Sequence, residues 1–193
     1  MSVFPHRTAW VPIDDHTPLH DAAEMAAAWV IQQAGTHALQ PVLRGGLGDS
    51  IVFALRGQFT TGPNPGREHA VLAFLPDYDD VHTSLRHGVF AAIESEATPL
   101  LGWAMQTRAV NLTTGEVTAD TRSAALKEAI ERIHFFDNNG WTRGSGADGS
   151  KRILGDLQPA DRDKNLLLGS LCALGSRGKA LARLSGLADR AWR

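Results

Sequence analysis

HAVLAFL, residues His69–Leu75, followed by PDYDD, residues Pro76–Asp80, is the stretch whose reading decides the fold. A short run that is nearly all apolar, stopped by a proline and a cluster of carboxylates, matches a strand buried on both faces. Such strands belong to parallel sheets covered by helices. Downstream, Asp79–His87 reads as a brief helix closed by Gly88, and VFAAIE, Val89–Glu94, as another strand. Upstream, TAWVPI, Thr8–Ile13, is short and partly β-branched and stops at Asp14-Asp15-His16, with Pro12 placed near the end where a strand tolerates it. QPVLR, Gln40–Arg44, is a further strand that runs into Gly45-Gly46-Leu47-Gly48-Asp49, with a short helix expected from Ile51 to Leu55.

Helices fill the intervals. Thr17-Pro18 supplies an N-cap and a proline at the first helical position, Leu19, Ala22, Ala23, Ala26 and Val30 share one face, and Gly35 closes the helix. Thr98-Pro99 repeats that cap, which favours a helix through residues 100–117, although the TTGE turn at Thr113–Glu116 leaves a hairpin open. Strands alternating with helices predict an α/β fold: a Rossmann-like open sheet of about four mostly parallel strands with right-handed crossovers. The expected domain division is an α/β body over 1–115 and a helical C-terminal extension over 116–193, packed on or beside it. Within the extension, Asp120–Phe136 carries Leu126, Ala129, Ile130 and Ile133 on one face and places Glu128 to pair with Arg132. Helices near 161–174 and 177–191 meet at Gly175-Ser176, a helix-turn-helix shape that ordinary packing also produces.

Charge divides the chain. Residues 1–140 hold 9 Lys and Arg against 16 Asp and Glu, whereas residues 141–193 hold 10 against 5. An acidic body with a cationic tail either docks the tail on itself or meets an anionic partner. The stretch His134–Leu154, HFFDNNGWTRGSGADGSKRIL, is glycine-rich, basic and marked by aromatics, and it reads as a loop between helices, with Asn138–Ser150 more mobile than its flanks. Gly144–Gly149 formally matches GxGxxG but follows a helix where a dinucleotide fold requires a strand, and Ser150-Lys151 inverts the order a phosphate loop needs. What remains is a basic loop that clamps an anion through Arg143 and Lys151 or simply connects helices.

In an open parallel sheet, ligands bind beyond the carboxyl ends of the strands, so the residues that end each strand are the first candidates. They are acidic: Asp14 and Asp15 follow one strand, Asp77 another, and Glu94 a third. Converging carboxylates act as acid and base, and Asp14, Asp77 and Glu94 would hold Mg²⁺ or Mn²⁺. The competing role, capping the next helix or facing solvent, carries the greater weight while strand order is open. Arg44, Gly45 and Gly46 offer a guanidinium and backbone amides to an anion, or a turn.

Other chemistries are disfavoured. Histidine and cysteine spacing fits no zinc motif, no GxSxG elbow is present, and the lone Cys172 lies in the apolar pattern LLLGSLCAL, which reads as a buried inert thiol. No apolar run is long enough to span a membrane, and the N-terminus lacks secretory order, so a cytoplasmic protein is expected. The reading is a protein that binds an anionic small molecule, a nucleotide or sugar phosphate, at the strand-end crevice. Whether it is an enzyme is open; a metal-assisted hydrolase or transferase is the activity that fits the carboxylates. One alternative is a nucleic-acid-binding or regulatory adaptor using Lys179, Arg183, Arg190 and Arg193 on the last helix, disfavoured because solvated charge explains the stripe. Another is a structural or interaction protein without a pocket. Strand order and oligomeric state stay open.

Overall fold

The computed structural model describes residues 7–13, 17–34, 39–43, 70–84 and 88–193. The expectations for Asp14, Asp15, Gly35, Arg44, Gly45, Gly46 and the Ile51–Leu55 helix lie outside the described residues. In chain order the elements are β1 (Arg7–Val11), α1 (Leu19–Ala34), β2 (Leu39–Leu43), β3 (Ala70–Phe74), α2 (Tyr78–Ser84), β4 (Val89–Ile93) and α3 (Leu101–Thr107). They continue with β5 (Val110–Asn111), β6 (Glu116–Val117), α4 (Ala124–Phe135), α5 (Ser145–Asp156), α6 (Lys164–Ala173) and α7 (Gly178–Ala191), with short 3₁₀ turns at Asp137–Asn139 and Pro159–Asp161.

The fold is α/β with a mostly parallel sheet. Strand order is β2-β3-β4-β1-β5-β6, and β6 alone of these runs antiparallel to its neighbour. All the strands expected from sequence are present, and the β5–β6 hairpin extends the sheet beyond them. Side-chain alternation sends the two halves of each buried strand to separate cores. Ala9, Val11, Leu72, Phe74, Val89, Ala91 and Ile93 meet Ala22, Ala23, Ala26, Ala27 and Val30 of α1. Trp10, Val71, Ala73, Phe90 and Ala92 face the other way, into a core built with Val81, Trp103, Ile130, Leu154, Leu171 and Leu181. The C-terminal helices and the sheet thus share one continuous core.

Strand direction explains this division. The chain leaves β1 toward the β2 edge with α1 on one face, and it leaves β3 and β4 in the opposite direction with α2 and α3 on the other. A constant crossover hand requires connections of opposite direction to lie on opposite faces.

Two sequence expectations are corrected. Residues 100–117 form neither one helix nor one hairpin but both, because Arg108 adopts the left-handed conformation (φ 56°) and ends α3, turning the chain back into the sheet. Asn111 Oδ1 then accepts from the Thr113 amide at 2.9 Å, and Gly115 (φ 74°) completes the turn to β6. Thr98-Pro99 is not the cap; the N-cap position is Leu100, with no side-chain bond of its own. The second correction concerns His134–Leu154, much of which is helical. Two of its glycines serve packing: a Cβ on Gly146 would stand 3.1 Å from the Phe136 carbonyl, and one on Gly149 3.1 Å from the Phe136 ring. Helix α5 starts at Ser145 and lies directly on Phe136, and Trp141, one of the aromatics of this stretch, is buried at 2 % exposure.

A glycine pair also decides how α3 meets α6. A Cβ on Gly102 would lie 2.3 Å from the Leu166 carbonyl oxygen, and one on Gly169 2.8 Å from the Trp103 amide nitrogen, so backbone touches backbone at this crossing. Side chains of any size there would force the helices apart.

Candidate functional site

β1 and β4 are adjacent and parallel, pairing Val11 with Ile93, yet the chain leaves them in opposite directions over opposite faces. In open parallel sheets, ligands bind beyond the strand ends at a point where the connections of adjacent strands go to opposite faces. Glu94 is the residue that follows β4 there. Its amide donates to Val11 O at 3.0 Å, and its carboxylate joins the two strand ends to the next helix: Oε2 accepts from the Ile13 amide at 3.1 Å and Oε1 from the Leu100 amide at 2.6 Å. The Leu101 amide donates to the same carboxylate. Glu94 therefore does for α3 what a side-chain N-cap would do. Burial pushes its carboxyl above the usual range, and the backbone donors work against that shift.

Asp77 stands at the same sheet edge, three residues beyond β3, where the Leu75 amide still pairs with Ile93 O at 3.0 Å. Its carboxylate has a local partner. Asp77 Oδ1 accepts from the Asp80 amide at 2.9 Å, and Asp80 Oδ2 accepts from the Asp77 amide at 3.1 Å, a reciprocal cap at the start of α2. Tyr78 follows Asp77, and its hydroxyl donates to Pro99 O at 3.1 Å. Burial pushes that phenol well above its usual range, with the Cys172 and Glu94 charges adding to the effect. Cys172 is buried as expected, its thiol pushed up by burial and then by Asp79 and Asp77.

Of the residues singled out in the sequence, Asp77 and Glu94 share the strand-end edge. Arg143 and Lys151 are exposed, and no hydrogen bond or ion pair joins their side chains to either acid among the described residues. Lys179, Arg183, Arg190 and Arg193 are exposed as well. Trp192 is half-buried and donates to Leu154 O at 2.9 Å, which ties the end of α7 to α5.

Asp77 Oδ1 and both oxygens of Glu94 accept backbone N–H bonds. Among the described residues no group of three or more His, Cys, Asp or Glu side chains is placed to hold a metal. No helix among the described residues is long and apolar enough to cross a membrane. No protein-family model, curated protein or solved structure matches this chain.

Sequence reasoning missed a second polar centre, formed by Arg122 with Asp120, Gln106 and Ser170. The signal was faint: Asp120 and Arg122 stand two apart in a segment read as the start of a helix, whereas α4 begins at Ala124 with Ser123 as its cap.

Proposed function

We propose that this protein is a Rossmann-like α/β protein that binds a nucleotide or sugar phosphate in the crevice between the carboxyl ends of β1 and β4. The observation that carries the proposal is the position of Glu94, which follows β4 where the connections of β1 and β4 go to opposite faces and touches the end of β1 through Ile13. Its carboxylate offers up to about four acceptor positions, of which three meet backbone amides. A sugar hydroxyl suits the remaining one, since a hydroxyl donates where a phosphate oxygen would be repelled. The phosphate falls to Arg44, Gly45 and Gly46 in this reading. These residues follow β2, whose end Leu43 is in register with Phe74 at the same sheet edge.

The strand order 2-3-4-1-5-6 is not the 3-2-1-4-5-6 of the dinucleotide-binding fold, but both set β1 beside β4 with connections on opposite faces. Binding, rather than metal-assisted hydrolysis or transfer, is the better-supported reading, because Asp77 and Glu94 commit oxygens to helix caps. A thermal-shift panel of nucleoside phosphates and sugar phosphates tests the proposal, because a ligand that binds only the folded state raises the melting temperature. At about a hundredfold excess over Kd the gain is about 2.7 kcal/mol. A panel that leaves the melting temperature unchanged would count against it.

A further inference from the structure

The Arg122 centre lies at the other end of the sheet from Glu94. Helix α3 runs from the strand ends back to Arg108, and the Thr118 amide, just past β6, donates to Ala109 O at 2.9 Å. An open cleft of about 430 Å³ lies there, bordered by Met105, Gln106, Arg108, Val117, Asp120 and Arg122 among others, the one carboxylate being the one that Arg122 and Lys127 already neutralise.

Arg122 is buried, with 5 % of its side chain exposed. Its Nε and Nη2 donate to the two oxygens of Asp120 at 2.8 and 2.9 Å. Nη1 donates to Gln106 Oε1 and to Ser170 Oγ, each at 2.7 Å. Lys127 Nζ stands 3.2 Å from Asp120 Oδ2. Beside Arg122 and Lys127, bonded to the single carboxylate of Asp120, the cleft wall carries a third cation in Arg108.

Three donors are left over. The Arg108 guanidinium has no ion pair or hydrogen bond among the described residues. Arg122 can only donate, so Gln106 must turn its oxygen toward Arg122, which leaves the Gln106 NH₂ without an acceptor among the described residues. One proton of Arg122 Nη2 also lacks a partner among them. Val117, 51 % exposed, adds uncovered apolar surface beside them. The Arg122 guanidinium is buried while its Asp120 partner is 34 % exposed, so the pair sits at the cleft wall with its remaining donors turned to a donor-rich opening.

We propose that this cleft binds a small organic anion, its carboxylate or phosphate head held by Arg108, Gln106 and Arg122 and its apolar body against Met105 and Val117. Arginine with a neutral donor beside it suits a planar or tetrahedral oxyanion. The site is separate from the strand-end crevice and stands independently of it.

The test uses sodium benzoate, sodium phenyl phosphate and neutral benzamide, followed by calorimetry and by amide NMR on the full chain. Benzoate or phenyl phosphate is expected to bind saturably with the largest shifts at Gln106, Arg108, Thr118 and Ala119, and the tighter of the two identifies the head. Benzamide is expected to bind at least about tenfold more weakly. Arg108→Gln, a change at an exposed and unpaired side chain, is expected to weaken the charged probe about tenfold with the melting temperature retained. Equal binding of benzamide, unchanged affinity in R108Q, shifts centred on Ile13 and Glu94, or no saturable binding below roughly 10 mM would each overturn the proposal.

Discussion

The Gly178 amide donates to Asp79 Oδ1 across 2.8 Å, so the helix that follows β3 caps the last helix of the chain. The two residues are 99 positions apart, and the contact joins the sheet's own crossover to the C-terminal extension. A Cβ on Gly178 would approach Asp79 Oδ2 to 2.8 Å, so a larger residue there would push the carboxylate off this bond.

Asp79→Ala is expected to cost about 1 kcal/mol, the usual worth of an N-cap, while Asp79→Asn keeps an acceptor and most of the stability. Urea unfolding of the three proteins measures this. Equal midpoints for Asp79→Ala and the parent would mean the bond contributes nothing.

Gly102→Ala is expected to be among the more damaging single-methyl additions, because the new Cβ would fall 2.3 Å from Leu166 O on an opposing backbone. Overpacking of this kind costs about 1–3 kcal/mol. Gly155, where an added Cβ would meet nothing within 4 Å, is the control: Gly155→Ala in α5 is expected to be neutral or stabilising. Thermal melts that rank the two variants the other way would contradict the described α3–α6 crossing.

Acid stability carries a signature of Asp120. The Arg122 guanidinium, bonded to both of its oxygens, and the Lys127 ammonium hold its carboxyl well below the usual range. A depressed folded-state value means the unfolded chain binds the proton first, so the stabilisation is complete above an unfolded value of about 3.9 and is lost as pH falls below it toward the folded value. Asp120→Asn is therefore expected to be less stable near neutral pH and to lose less on acidification below about pH 4. Parallel slopes of stability against pH for the two proteins would contradict the ion pair.

Much of the sheet was legible because its strands are apolar on both faces and end at polar clusters, as in HAVLAFL before PDYDD. The position of Glu94 was legible for the same reason, since it ends VFAAIE. Its bond to β1 was not: Ile13 reaches its carboxylate only because β1 lies beside β4, and strand order is a long-range property, whereas Leu100 reaches it across the short turn 95–99. In His134–Leu154 backbone freedom accounts for Gly140 and Gly144, both at positive φ, but not for the two glycines inside α5. In α5 the absence of a side chain at Gly146 and Gly149 is used for contact with Phe136, and that contact outweighs low helix propensity. The Arg122 centre was hidden because Gln106, Asp120, Arg122 and Ser170 come from three segments that only the fold unites.

Amide NMR titration with AMP and with ribose 5-phosphate tests most directly the proposed ligand site between the carboxyl ends of β1 and β4. Saturable shifts are predicted at Ile13, at Glu94–Ala97 and at Leu100–Leu101, which surround the Glu94 carboxylate. Glu94→Gln, which keeps the side chain's shape but removes its charge, is predicted to weaken binding of the probe that shifts them. Saturable shifts confined to the Arg108–Arg122 end of the sheet, or none with either probe up to roughly 10 mM, would contradict it.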